Sequence, residues 1–203
     1  SIDPKTIFVT GNPVIDALLG TVKKIEGGKT STNTTLTTLL STPRKRVLIT
    51  AHRRENFGAP FLEICEAIAT LAAAHPAIDF IYPVHPNPNV KATAHERLGA
   101  ISNIHLLDPL PYTDFVLALK SATLVLSDSG GLQEEAPALG KPVLVMRDVT
   151  ERPEGVDAGV NLLVGSNKEK IIATVERLLA DEAAYNAIAQ ARNPFGDGTA
   201  GQQ

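Results

Sequence analysis

Cysteine is almost absent from this sequence: Cys65 is the single one among 203 residues. No intrachain disulfide can therefore form, and a reducing compartment is the expected environment. Cys65 stands in the run FLEICEAIATLAAA, whose apolar residues recur at helical spacing. A thiol among such neighbours is expected to be a small apolar side chain of the core and not a nucleophile.

Three further features are missing, and each excludes a class of protein. No apolar run approaches the ~20 residues that a membrane-spanning helix needs. The first residues, SIDPKTIFVTGNP, lack the basic start and the apolar stretch of a signal peptide. The formal net charge is −3, so the chain has no basic excess for sequence-independent binding to nucleic acid. We therefore expect a soluble, cytoplasmic protein with neither a membrane nor a nucleic-acid partner.

The sequence does contain a repeated pattern of short apolar runs, each followed by a polar or glycine-bearing turn and a helical segment. The runs are continuous instead of alternating, which is typical of strands buried on both faces of a parallel sheet. Strands that alternate with helices in this way predict right-handed crossovers and a Rossmann-like, doubly wound parallel sheet of the α/β class. The runs are TIFVTG, RVLITA, DFIYPV, NIHLLD, TLVLSD, KPVLVM and NLLVG, and the helices are expected to begin near Asn12, Pro60, Asn89, Tyr112, Gly131 and Asn167.

This pattern divides the chain into four parts. Residues 46–192 form the predicted Rossmann-like domain. Residues 1–26 are predicted to be a strand and a helix that lead in from a further domain. Residues 27–45, rich in Thr, Ser and Gly, are predicted to be a linker or surface segment that could include a short helix. Residues 193–203 have no apolar periodicity and are expected to form a tail.

Polar loops follow five successive predicted strands. In an open parallel sheet, ligands bind at the carboxyl ends of the strands, where helix N-termini point outward. The sequence therefore predicts a ligand site along this edge of the sheet. The loops are AHRRENFG (51–58), HPNPN (85–89), PLPYTDF (109–115), DSGG (128–131) and RDVTERPE (147–154).

The loop after the run TLVLS indicates the kind of ligand. Ser129, Gly130 and Gly131 stand at a strand-to-helix turn, where backbone N–H groups are free and two residues lack a side chain that would block an anion. Glu134 and Glu135 follow one turn later, and either could accept hydrogen bonds from ribose hydroxyls. Together they indicate a nucleoside diphosphate. The structural alternative is a helix cap with acidic residues that favour the helix dipole, which explains the glycine pair poorly.

Taken together, the motifs resemble those of a known family. The joint occurrence of HRREN and SDSGG-x-QEEAP is similar to that in the non-hydrolysing UDP-N-acetylglucosamine 2-epimerases of bacteria, and the resemblance runs in order from about Phe8 to Gly198. It implies the C-terminal half of a glycosyltransferase B-type fold, in which two Rossmann-like domains enclose the active site, without the first domain and the final crossing helix. The motifs are TGNPVIDAL, TAHRRENFG, YPVHPNPNV, DPLPYTDFV, SDSGGLQEEAPALGKPVLVMRDVTERPEGVDAGVNLLVG and NPFGDG.

The resemblance implies a nucleotide-binding role for five residues. Ser129, with the amides of Gly130 and Gly131, would hold the diphosphate of UDP. Glu135 would bind the ribose hydroxyls. Phe115 would stack on uracil, although an aromatic residue at the start of a helix is otherwise common in a core.

The resemblance also implies catalytic and regulatory residues. His52 would contribute to the catalytic cleft. Arg53, Glu55 and His85 would contact a second molecule of UDP-N-acetylglucosamine, which activates these enzymes. Considered without the family, histidines near strand ends are commonly ordinary loop residues.

The reaction implied is inversion at C2 of the sugar, which yields UDP-N-acetylmannosamine for cell-envelope polysaccharides. It proceeds by loss of the C2 proton and anti elimination of UDP, followed by re-addition, and needs a base, an acid and stabilisation of the departing diphosphate. No metal or other cofactor is implied, and the sequence has neither a metal-ligand cluster nor a GxGxxG motif. The family's main acid/base carboxylates would lie in the other domain, so this chain alone is expected to be inactive, and the full-length enzyme is expected to be a homodimer.

Two other functions stay open. The chain could be the nucleotide-sugar-binding half of a B-type glycosyltransferase, which the joint occurrence of HRRENFG and QEEAP disfavours. It could also be a stand-alone domain that binds nucleotide sugars.

Overall fold

The computed structural model describes residues 2–28 and 31–203 and contains, in that part of the chain, a six-stranded sheet whose pairings are all parallel. The strand order is β3-β2-β1-β4-β5-β6, which is the order of a doubly wound Rossmann sheet. The predicted fold class is therefore confirmed. The strands are β1 (Lys45–Thr50), β2 (Ile78–Pro83), β3 (Ile104–Leu107), β4 (Leu124–Ser127), β5 (Val143–Val145) and β6 (Asn161–Leu163).

The helices begin close to the predicted positions. Asn12 and Asn167, for example, cap their helices by accepting a hydrogen bond at the side-chain oxygen from Val14 N–H and Lys170 N–H. Two short helices, α7 and α9, were not predicted. The helices are α1 (Pro13–Glu26), α2 (Thr34–Leu40), α3 (Ala59–Ala74), α4 (Pro88–Leu98), α5 (Tyr112–Ser121), α6 (Leu132–Ala138), α7 (Pro153–Asp157), α8 (Lys168–Ala180) and α9 (Glu182–Ala189).

Both faces of the sheet are covered, which explains the continuous apolar runs. On β1, Val47 and Ile49 pack into the core beneath α3, α4, α8 and α9, whereas Leu48 packs into the core beneath α1, α2, α5 and α6. Leu48 pairs with Ile81 of β2 on one side and with Val125 of β4 on the other. A central strand in a sheet of this kind has no solvent-facing side, so polar alternation is absent.

The strand predicted from TIFVTG is wrong. Residues 7–11 are not hydrogen-bonded to any of the six strands, and a short 3-10 turn, Pro4–Thr6, precedes them. The side chains of Phe8 and Val9 are 82% and 94% exposed. An apolar, β-branched run favours extended backbone, but a strand forms only where a neighbouring strand supplies hydrogen-bond partners.

The segments that flank the predicted domain pack against it. Residues 27–45 contain the short helix that the sequence allowed, α2. Its residue Leu36 is fully buried against the sheet domain. The tail lies along α1, because Asn12 N–H donates to the carbonyl of Phe195 at 2.8 Å and Gly201 N–H donates to Asp16 Oδ1 at 3.0 Å. Residues 1, 29 and 30 of the predicted segments lie outside the described residues. The division into four parts stays a prediction.

Candidate functional site

The order of the strands creates a crevice between β1 and β4. The chain continues from β1 to β2 on one side and from β4 to β5 on the other, so the loops that follow these two central strands diverge. A cleft of about 290 Å³ opens there. Five predicted residues line it: His52, His85, Phe115, Ser129 and Glu135. Side chains that follow four different strands, far apart in sequence, therefore meet in one cavity.

Asp128 joins the loop after β1 to the loop after β4 by hydrogen bonds. Its side chain is fully buried at the end of β4. Its Oδ2 accepts hydrogen bonds from the backbone N–H of His52 at 2.8 Å and of Arg53 at 2.7 Å. The side-chain amide of Asn56 donates to the same oxygen at 3.1 Å. These bonds fix the start of the HRREN loop against the loop that carries Ser129.

The imidazole of His52 lies between Asp128 and a second histidine. Its Nδ1 is 3.4 Å from Asp128 Oδ1, and its ring stacks on that of His85 with 5.3 Å between the centroids. Burial lowers the pKa of His52; Asp128 opposes this effect, whereas His85 and Arg53 add to it. Because the pKa lies below its ordinary value of 6.5, the ring is neutral at pH 7. A neutral imidazole beside a cleft can accept a proton and, once protonated, can donate it again.

Of the loop formed by Ser129, Gly130 and Gly131, Ser129 lines the cleft, whereas the two glycines follow it and are not among the lining residues. Ser129 N–H donates to Ser127 Oγ at 2.9 Å, whereas the amides of the two glycines donate to no acceptor among the described residues. Neither glycine has positive φ, so the backbone conformation does not require glycine here. A Cβ on Gly130 would meet Nη2 of Arg53 at 3.5 Å. Because Gly130 and Gly131 lack side chains, there is space next to their backbone amides, close to the guanidinium group of Arg53.

Glu135 reaches the cleft from the first turn of α6, where Tyr112 holds it. The Tyr112 hydroxyl donates to Glu135 Oε1 at 2.8 Å. Burial raises the pKa of Glu135 above its ordinary value of 4.5, the bond from Tyr112 opposes that rise, and the charge of Glu134 adds to it. Burial and the same carboxylate raise the pKa of Tyr112, so its hydroxyl stays protonated as a donor.

Glu134 directly precedes Glu135 in the sequence but makes different contacts. Its carboxylate accepts hydrogen bonds from Asn12 Nδ2 and from Arg152 Nε. The residue thereby ties α6 to the start of α1 and to the loop before α7. Consecutive helical residues point about 100° apart, so only Glu135 of the pair lines the cleft.

A second cleft, of about 460 Å³, lies on the other side of His52. It is lined by the three residues predicted to bind an activating ligand, Arg53, Glu55 and His85. Glu55 is paired with the buried Arg147, whose Nε lies 2.5 Å from Glu55 Oε1 and whose Nη2 lies 3.4 Å from Oε2. The structure thus brings the three predicted residues together, and one of them, the exposed Glu55, is held by an ion pair with a buried arginine.

Sequence reasoning assigned no role to Asp128, Tyr112 or Arg147. Asp128 could have been singled out as a carboxylate at the end of an otherwise apolar strand, and Arg147 as a cation just beyond the end of β5. Tyr112 carried no signal beyond its position at the start of α5. The partners of all three lie on other elements and are therefore invisible in the sequence.

Metal ligands and membrane spans were sought in residues 2–28 and 31–203. No group of three or more His, Cys, Asp and Glu side chains there is placed to hold a metal ion. None of the helices in the same ranges combines the length and the apolar character that crossing a bilayer requires.

The sheet order, with a cleft at its switch point, defines one Rossmann-like half of a glycosyltransferase B-type fold. The same fold occurs in an α,α-trehalose-phosphate synthase (UDP-forming) of Burkholderia vietnamiensis, with a TM-score of 0.64 over 89% of this chain and 46% of the synthase. The sequence identity to that protein is 14%, so the likeness concerns the fold alone.

The chain belongs to the UDP-N-acetylglucosamine 2-epimerase family, whose model matches residues 1–203. A UDP-N-acetylglucosamine 2-epimerase of Yersinia pestis is 51% identical over 199 residues, which are 97% of this chain and 53% of the relative. The chain thus spans about half the length of the curated relatives it matches.

Two solved structures of similar proteins contain nucleotide ligands. The UDP-GlcNAc 2-epimerase of Neisseria meningitidis, bound to UDP-GlcNAc, has a TM-score of 0.89 and 41% identity over 99% of this chain and 54% of that protein. The enzyme of Methanocaldococcus jannaschii, in complex with UDP-GlcNAc and UDP, has a TM-score of 0.80 and 35% identity over 99% of this chain and 54% of its own.

Proposed function

We propose that this chain is the nucleotide-holding half of a non-hydrolysing UDP-N-acetylglucosamine 2-epimerase and binds the UDP part of the substrate in the cleft between β1 and β4. The observation that carries the proposal is the convergence of Phe115, Ser129 and Glu135 on one cavity at the switch point of the sheet. The N. meningitidis relative, solved with UDP-GlcNAc, supports the choice of ligand.

Each part of UDP has a suitable partner in this cleft. The ring of Phe115 offers an apolar face for uracil. Glu135 keeps Oε2 available to accept from ribose hydroxyls while Tyr112 occupies Oε1. The amides of Gly130 and Gly131, which have no acceptor in the part of the chain that the structure describes, suit the diphosphate together with the Ser129 hydroxyl.

The proposed reaction inverts C2 of the sugar by loss of its proton, anti elimination of UDP and re-addition. Donors around the diphosphate stabilise the charge of the leaving UDP. His52, neutral at pH 7 and next to the same loop, is proposed to contribute a proton-transfer or hydrogen-bonding group. Arg53, Glu55 and His85, in the neighbouring cleft, are proposed to bind a second UDP-N-acetylglucosamine that activates the enzyme.

The complete protein is proposed to be a cytoplasmic homodimer that supplies UDP-N-acetylmannosamine for cell-envelope polysaccharide. Inversion needs an acid and a base on opposite faces of the sugar. In the proposed assignment the described cleft contributes His52 alone to that pair, so the 203-residue chain is expected to bind UDP without epimerising. A B-type glycosyltransferase half would bind the same nucleotide and remains the second candidate, because its fold is shared.

Calorimetric titration of UDP into the 203-residue chain tests the proposal. We expect one-to-one binding of UDP and weaker binding of ADP, since the purine ring is larger than uracil and the cleft has a volume of about 290 Å³. The same preparation, incubated with UDP-N-acetylglucosamine, should yield no UDP-N-acetylmannosamine by chromatography. Absence of UDP binding by the folded chain would refute the nucleotide site. Formation of the epimer at the rate of an intact relative would refute the proposal that this chain binds UDP but cannot epimerise by itself.

A further inference from the structure

We propose that Asp128 is a positioning residue that fixes the tautomer of His52. In that tautomer Nδ1 carries the proton, and Nε2 is the nitrogen that accepts a proton during the reaction. The inference builds on the proposed role of His52 in the cleft between β1 and β4. Asp128 would act through His52 and would not touch the substrate.

The two oxygens of Asp128 have different surroundings. Oδ2 is saturated by the N–H groups of His52 and Arg53 and by the amide of Asn56. Oδ1 is buried and has no hydrogen-bond partner among the described residues. It lies 3.4 Å from Nδ1 of His52. An unpartnered carboxylate oxygen in a buried position is costly, and one small rotation of the imidazole would supply it with a donor.

The donor that Oδ1 needs determines the tautomer of His52. In a neutral imidazole one nitrogen donates and the other accepts, and a carboxylate beside Nδ1 requires the proton to be there. Nε2 then keeps its lone pair, and it has no partner among the described residues. When Nε2 accepts a proton, the adjacent carboxylate stabilises the imidazolium that forms.

The other groups around His52 do not replace Asp128. His85 stacks on the ring face at 5.3 Å and does not accept from the ring edge. His85 and Arg53 both lower the pKa of His52, while Asp128 alone raises it. The carboxylate oxygen 3.4 Å from Nδ1 is the acceptor that favours a proton on that nitrogen.

Nitrogen NMR of the ¹⁵N-labelled chain tests the inference, because the two ring nitrogens of each tautomer have distinct shifts. Spectra at about pH 8, above the ordinary imidazole pKa of ~6.5, report the neutral ring. The signals of His52 are assigned by their loss in His52→Gln. We expect a protonated Nδ1, a bare Nε2 and a downfield Nδ1–H proton, as for a donor to a carboxylate. A parent chain with the proton on Nε2, or without that downfield proton, overturns the inference without any variant.

Asp128→Asn gives a second, directional test. To keep its three donors, the amide must place its oxygen where Oδ2 lies, so its NH₂ group faces Nδ1 of His52. That donor should switch His52 to the Nε2–H tautomer and lower its pKa. An unchanged tautomer in the folded variant would show that another group sets it.

Asp79→Asn is the matched control. Asp79 is also a buried carboxylate that contacts a histidine, His105, at 3.2 Å, but it lies at the start of β2, at the opposite edge of the sheet. Its replacement should leave the signals of His52 unchanged. UDP titration of the same samples separates the two proposals: UDP binding with the proton on Nε2 refutes the role of Asp128 alone, whereas the expected tautomer without UDP binding refutes the nucleotide site alone.

Discussion

The hydroxyl of Tyr112, at the first residue of α5, donates a hydrogen bond to Oε1 of Glu135, in the first turn of α6. The bond joins two helices that follow different strands, and it places at the wall of the cleft a carboxylate whose Oε2 has no hydrogen-bond partner within residues 2–28 and 31–203. It also opposes the effect of burial on the pKa of Glu135.

Tyr112→Phe should therefore change the pH dependence of UDP binding. The raised pKa of Glu135 means that its carboxylate is lost as the pH falls, beginning above the ordinary value of 4.5, and UDP binding should weaken with it. Without the bond from Tyr112 the pKa rises further, so the decline should move to higher pH. Calorimetric affinities between about pH 5 and pH 8 measure the shift.

The diphosphate of UDP also titrates, and Glu135→Gln provides the correction. That variant should keep the part of the pH profile that the ligand causes and lose the part that Glu135 causes. Superimposable profiles for the parent and Tyr112→Phe would contradict the role of the bond.

The adjacent glutamates should respond differently to the same substitution. Glu135→Gln removes a charged acceptor of ribose hydroxyls, a contribution of roughly 1.5–3 kcal/mol, and should weaken UDP binding about tenfold or more. Glu134→Gln should leave UDP affinity nearly unchanged but lower the thermal midpoint, because Glu134 joins Asn12 and Arg152. Calorimetry and thermal unfolding separate the two effects.

A ligand control sharpens this comparison. 2′-Deoxy-UDP lacks one donor, so the parent should bind it less tightly than UDP, whereas Glu135→Gln should discriminate much less. Equal losses of UDP affinity in both glutamine variants would leave only a helix-dipole role for the pair.

Gly130→Val should abolish UDP binding without unfolding the chain. The φ of Gly130 is not positive, and a Cβ there meets its neighbours at 3.5 Å or more, so the fold tolerates a side chain. The branched side chain would instead fill the space above the amides. Ser129→Ala should cost less, about 1 kcal/mol, which is the scale of one neutral hydrogen bond. Titration of UDP into each variant, with circular dichroism of the fold, measures both.

Gly20→Val is the control for this substitution. Gly20 lies on α1, where an added Cβ would meet nothing within 4 Å, and it is remote from the cleft. The affinity of this variant for UDP should equal that of the parent. Parent-like UDP binding by Gly130→Val would show that the diphosphate lies elsewhere.

Phe115→Leu should weaken UDP binding but not pyrophosphate binding. Leucine keeps apolar volume against the core and loses the aromatic face, and base stacking contributes ~1–3 kcal/mol, so a loss on the order of tenfold is expected. Phe57→Leu, which changes a partly buried aromatic residue in the second cleft, should not affect UDP. Equal effects of Phe115→Leu on both ligands would indicate a structural role only.

The fold could be predicted largely from the sequence because its signals are local. Continuous apolar runs mark β1 to β6, and capping residues such as Asn12 and Asn167 mark helix starts. The wrong strand at residues 7–11 shares the composition of the others but has no pairing partner among the described residues. Pairing is a long-range property that the composition of one segment does not report.

Part of the candidate site could be predicted because its residues lie close together in the sequence. Ser129, Gly130 and Glu135 stand in one short motif, and the positions of strand ends place their loop at the ligand edge. The bond from Tyr112 to Glu135 and the pair of Arg147 with Glu55 join residues that are 23 and 92 positions apart. Such contacts depend on how loops fold over the sheet, and a single sequence does not encode them in a readable pattern.

The hydrogen bond from His52 N–H to Asp128 spans 76 positions of the chain, and it can form only after β1 and β4 have paired. Closing a loop of that size is a slow step, because its entropy is lost before the contacts form. We therefore expect the cleft to assemble late in folding. If it does, contacts with a bound ligand form after the transition state, so UDP should slow unfolding and leave the folding rate nearly unchanged, which stopped-flow kinetics would measure.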